Sequence, residues 1–101
     1  MVEPTKRVVV PPHVLIRHLD GESVLLNLES ERYFGLDATG TRMWELATTQ
    51  PNLGIAFEKL VDEFDVEPEA LRNHLTELLS GLVENGLLQV LPADVATSPT
   101  I

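Results

Sequence analysis

The chain has 101 residues, 44% of them hydrophobic and 23% charged, the composition of one soluble globular domain around one core. With no cysteine, it excludes disulfides, a thiolate nucleophile and Cys-ligated zinc or iron–sulfur centres. The 16 acidic against 7 basic residues leave a net charge of -9, which repels phosphate backbones and anionic lipid, and no apolar run reaches the roughly 20 residues that cross a bilayer.

Residues 1–12 hold three prolines, Pro4, Pro11 and Pro12, and are expected to form an extended arm, at most a sheet edge. The N-terminal stretch is too short and too broken by Pro for a secretory signal, so a cytoplasmic setting is expected. Residues 13–36 read as three strands. His13 to Leu19 is followed by Asp20-Gly21, a dipeptide suited to the positive φ values of a type I′ hairpin. Ser23 to Leu28 then puts Val24, Leu26 and Leu28 on one face at period two. A polar corner, Glu29-Ser30-Glu31, leads into Arg32-Tyr33-Phe34-Gly35-Leu36. Short connections make this an antiparallel meander with the first and third strands at its edges.

From Asp37 the period becomes helical. Asp37 or Thr39 caps a helix whose Gly40, Met43, Trp44 and Ala47 share a face, and Gln50-Pro51-Asn52 ends it. Leu53, Ala56, Phe57, Leu60, Val61 and Phe64 form the stripe of a second helix. A third starts at Pro68, a residue suited to a first helical turn, and runs to about Asn85 with Leu71, Leu75, Leu78 and Leu82 in line and Leu79 and Val83 beside them. Asn85-Gly86 reads as a left-handed cap. Leu87 to Leu91 is expected to return as a small strand or wing, and residues 92–101 as a flexible tail. The predicted fold class is α+β, winged helix-turn-helix-like: a three-stranded antiparallel sheet followed by three helices, the domain proper spanning 13–91.

No catalytic constellation emerges, so a non-enzyme without cofactor is expected. His13, His18 and His74 form no HExxH pair, and no metal site is expected. There is no GxSxG elbow or phosphate loop, and the acidic residues from Glu58 to Glu69 lack the order of a calcium loop. A DNA-reading third helix is disfavoured by charge: between Pro68 and Asn85 the one formal cation is Arg72, against Glu69, Glu77 and Glu84.

The segment from Arg32 to Leu46, with its order Tyr33-Phe34-Gly35-Leu36-Asp37, Gly40 and Trp44-Glu45-Leu46, resembles the "YFGLDxxGxxxWEL" stretch of PqqD-like proteins. These are the recognition elements for ribosomally made, modified precursor peptides (RiPPs), and the likeness is greatest to the stand-alone members of lasso-peptide systems. It continues as "LxxLxxLxxxGLL" through Leu75, Leu78/Leu79, Leu82, Gly86, Leu87 and Leu88. The resemblance implies a non-catalytic adaptor that binds the leader segment of a precursor peptide by β-strand addition. It would present that leader to a separate leader peptidase and the macrolactam synthetase, with neither nucleic acid nor membrane as partner. The alternatives are a PqqD-type chaperone for a radical enzyme and, behind it, a winged-helix regulator of DNA.

Leaders in that family lie against the third strand, in a groove shared with the third helix. The peptide-binding residues expected here are therefore Arg32, Tyr33, Phe34, Gly35 and Leu36 from the strand, and Leu71, Arg72, Leu75, Thr76 and Leu79 from the helix. An edge strand has unpaired N–H and C=O groups that an extended peptide can satisfy. Tyr33 and Phe34 have opposite parity, so at least one faces away from the core; the sequence leaves open which.

Overall fold

A computed structural model describes residues 4–92. In chain order these form β1 (Arg7–Val9), β2 (Val14–Leu19), β3 (Glu22–Asn27), β4 (Arg32–Leu36), α1 (Ala38–Thr49), α2 (Leu53–Glu63), α3 (Pro68–Glu84) and β5 (Gln89–Leu91). Strands β2, β3 and β4 make an antiparallel sheet in that order, and three helices follow, so the predicted α+β architecture is the one observed. The expected tail lies outside the described residues from 93 onward.

Each connection has a local cause. Asp20 and Gly21 take φ values of 53° and 84°, the pair of positive values that a type I′ turn requires between β2 and β3. The Asp37 side chain accepts the Gly40 N–H at 2.8 Å and caps α1. Asn52 accepts the Ile55 N–H at 2.9 Å and caps α2. Pro68 stands in the first turn of α3, and Gly86 follows its end at φ 73°.

The N-terminal arm is built into the domain. β1 pairs antiparallel with β5, Val8 opposite Val90, and Val8 is buried. The carbonyls of Lys6 and Pro4 accept the N–H groups of Leu53 and Gly54 at 2.8 and 3.0 Å. With Asn52, they satisfy donors that the first turn of any helix leaves without intrahelical partners.

The core joins Leu25 and Leu36 of the sheet to Met43, Trp44 and Ala47 of α1, Leu53, Ala56 and Leu60 of α2, and Leu71, Leu75, Leu79 and Leu82 of α3. In β3 the inward set is Ser23, Leu25 and Asn27, while Val24 and Leu26 lie on the outer face and Leu28 is exposed. The apolar alternation in that strand therefore marks the outer face. Two polar residues are accommodated inside because each is hydrogen-bonded: Ser23 Oγ lies 2.7 Å from Thr41 Oγ1, and Asn27 Nδ2 donates to the Asn85 carbonyl at 3.0 Å.

Candidate functional site

The phase of the ladder decides what β4 offers at its free side. In a two-residue hairpin the flanking residues, here Leu19 and Glu22, exchange both backbone hydrogen bonds. The alternation carried through the register makes Ser23–Leu36, Leu25–Phe34 and Asn27–Arg32 the bonded pairs between β3 and β4. The N–H and C=O groups of Tyr33 and Gly35 then point away from β3, toward the open edge. Among the described residues no strand pairs there, since β1 pairs with β5 instead.

Side chains alternate in the same rhythm. Leu36 is buried, and Phe34 is half-buried and packed on the core. Tyr33, 72% exposed, and Gly35 face outward, which resolves the parity left open by the sequence. Arg32 is exposed at the start of the strand, opposite Asn27.

On α3 the five expected site residues divide. Leu71, Leu75 and Leu79 are buried in the core. Arg72 and Thr76 lie on the flank turned to α2, where a small cavity is lined by Pro4, Leu53, Gly54, Phe57, Arg72, Leu75 and Thr76, with no residue of β4. The Arg72 guanidinium sits 4.9 Å from the Phe57 ring centroid, a cation–π contact. By the 3.6-residue turn, Leu78 and Gly81 occupy the opposite flank of the leucine stripe. Leu78 is half-buried against the core, and a Cβ at Gly81 would meet nothing within 4 Å. The sequence reading assigned neither residue to the site; the signal available was the small Gly81 beside a leucine stripe.

The end of α3 is tied to the sheet. Asn27, opposite the first residue of β4, bonds the Asn85 carbonyl at the end of α3. Arg42 of α1 pairs with Glu63 at the end of α2.

The Arg42–Glu63 pair closes at 2.6 Å, with Glu45 at 3.2 Å from the same guanidinium. Hydrogen bonding to Arg42 holds the Glu63 carboxyl below the usual carboxylate range and raises Arg42 further above its own. A depressed carboxyl contributes stability above its unfolded pKa and loses it as pH falls through the folded value. Both side chains are more than a third exposed, so solvent screening keeps the contribution under about 1 kcal/mol. Arg42→Ala is expected to lower the denaturation midpoint slightly at neutral pH and to have less effect in acid, where Glu63 is protonated in both proteins.

Among the described residues no three His, Cys, Asp or Glu side chains gather in a metal-holding group. His13 is held structurally, its Nε2 3.2 Å from the Gly86 carbonyl and its Nδ1 3.6 Å from the Glu29 carboxylate. His18 and His74 are exposed.

The profile of the family described as coenzyme PQQ synthesis protein D (PqqD) matches residues 22–88. No match was found among curated protein sequences. Of solved structures, TbiB1 in complex with the TbiA(beta) leader peptide is similar, with 31% identity, a TM-score of 0.73, and coverage of 79% of this chain and 93% of that one. A lasso peptide synthetase B1 complexed with the leader peptide shares the fold, with 22% identity, a TM-score of 0.71, and coverage of 84% and 98%. Motif, meander, three-helix order and this likeness converge: the chain belongs to the PqqD family, as a PqqD-like RiPP recognition element.

Proposed function

We propose that the protein is a non-catalytic adaptor which binds the leader segment of a precursor peptide as an added strand on β4 and presents it to a separate leader peptidase of a lasso-peptide pathway. The observation that carries this reading is the β4 edge, unpaired among the described residues, with the Tyr33 and Gly35 backbone groups turned toward it and Phe34 half-buried beside it. The 31%-identical neighbour is a complex with a leader peptide, which supports a peptide as the ligand.

A guest strand gains about four ladder bonds, each worth roughly 1 kcal/mol net. Ordering a flexible peptide consumes about 2–5 kcal/mol, so the ladder alone gives weak and unselective binding. Inward-facing guest side chains supply the rest. Phe34 and Leu36 line the strand side. On the helix side the accessible margin is the Leu78–Gly81 flank, with Leu71, Leu75 and Leu79 buried behind it in the core. Arg72 and Thr76 stand on the other flank of the helix, against α2. Arg32 marks the point where the guest strand leaves β4. Burying a guest aliphatic or aromatic side chain gives roughly 1.5–3 kcal/mol, so two anchors contribute more than the net ladder and set the selectivity.

Titration of the fluorescently labelled leader of the cognate precursor is expected to show tight binding that changes less than threefold between 50 and 300 mM salt, roughly. Apolar anchors and ladder bonds release few counterions. A steep loss with salt together with preference for duplex DNA would overturn the adaptor reading in favour of a regulator. For presentation, the peptidase is expected to cleave precursor faster with the adaptor present, and equal rates without it would overturn that part.

A further inference from the structure

We infer that Gly35 selects a guest residue on the outer face of the sheet: the leader carries an aromatic side chain opposite Gly35, its ring lying across the bare backbone toward Val24. This rests on the strand-addition reading and extends it from the groove side of the guest to the other side. Guest residues directly opposite Tyr33 and Gly35 project on the same face as those two residues. The row across the sheet on that face is Arg17, Val24, Gly35 and then the guest position.

Gly35 is a gap in this row. A Cβ built there meets nothing within 4 Å, and Val24 behind it is only half-buried. The neighbouring row, Leu15, Leu26 and Tyr33, stands higher, so Val24 lies in a hollow of about 320 Å³ walled by Leu15, Arg17, Leu26 and Tyr33. From the guest backbone to Val24 is two strand spacings, roughly 10 Å. A leucine does not span that distance, and a ring laid over the glycine narrows it to contact. Cross-strand aromatics cover glycines in sheets for this reason, gaining the burial that the missing side chain forfeits. Tyr33 then flanks the incoming ring and limits its tilt.

The test is selection of an mRNA-displayed library of random 12-residue peptides on the immobilised full-length protein. Wild type is expected to enrich peptides with apolar residues at alternate positions for the groove and Phe, Tyr or Trp at one intervening position. Gly35→Glu, which fills open space on an exposed strand and leaves the ladder intact, is expected to cut aromatic enrichment at that position at least tenfold and raise Lys and Arg there, with the groove positions unchanged. Val24→Ser, which touches no edge atom, is expected to reduce the same enrichment severalfold. Alternating peptides whose composition is identical for all three proteins would overturn the inference while leaving strand addition standing. Enriched peptides without alternation, or none, would overturn both.

Discussion

Gly35→Pro is expected to weaken leader binding by roughly a hundredfold while the domain stays folded. In the deduced ladder the Gly35 N–H points to the open edge, so proline removes a donor that β3 does not use. The guest carbonyl that would have accepted it is left unpaired at a cost of about 1–3 kcal/mol, and the ring holds the guest strand off its neighbouring bonds. Each 1.4 kcal/mol is tenfold in the dissociation constant, hence the expected size. Stability is expected to change by less than about 1 kcal/mol, because restricting the unfolded chain offsets part of any local strain. Phe34→Pro, one residue away, is expected to behave in the opposite manner. Its N–H belongs to the bonded pair with Leu25, and the substitution also removes a ring packed on the core, so it costs roughly 3 kcal/mol or more of stability. Isothermal titration and guanidinium denaturation of both variants check the pair. A Gly35→Pro protein that binds normally would exclude strand addition at β4.

That contrast also marks how far the residues spoke for themselves. The meander, the hairpin at Asp20-Gly21, the Asp37 cap and the three helical stripes are local patterns in which propensity, period and turn chemistry agree, and all are present. The motif that resembles the family combines two jobs. Leu36, Asp37, Gly40 and Trp44 are scaffold: Asp37 caps α1, a Cβ at Gly40 would lie 3.2 Å from the Asp37 carboxylate, and Leu36 and Trp44 are buried. Tyr33, Phe34 and Gly35 carry the edge. What was not legible depends on long-range placement. In β3 the visible apolar alternation sits outside, because Ser23 and Asn27 are held inside by partners 18 and 58 residues away, Thr41 and Asn85. Likewise Arg72 and Thr76 follow the leucines in sequence, yet only the packing of α2 places Phe57 and a small cavity beside them. The arm gave only proline as a signal, and its carbonyls on the α2 N-terminus had none.

A stability loss of similar size is expected from Gly86→Ala. Gly86 closes α3 at φ 73°, where an L side chain costs about 1–2 kcal/mol. Its new Cβ would also stand 2.8 Å from Asn27 Nδ2, closer than real Cβ contacts come. Asn27 has little room to yield. It is buried, donates to the Asn85 carbonyl at 3.0 Å, and accepts the N–H groups of Glu29 and Ser30 at 2.9 and 3.2 Å, which shapes the turn into β4. Displacing it leaves buried polar groups unpaired at about 1–3 kcal/mol. The combined cost is roughly 3 kcal/mol, a large share of the 5–15 kcal/mol of an ordinary domain and about 12–24 °C in melting temperature for this size. Asn27→Ala alone is expected to cost about 2 kcal/mol, and the double variant less than the sum, since removing the amide also removes the clash. That non-additivity, read from urea denaturation of the four proteins, separates the contact from the backbone strain, because strain at Gly86 would add independently of residue 27. Leader affinity of Gly86→Ala at a temperature where it is folded is expected to fall as well, because the Asn27 turn sets where the β4 edge begins.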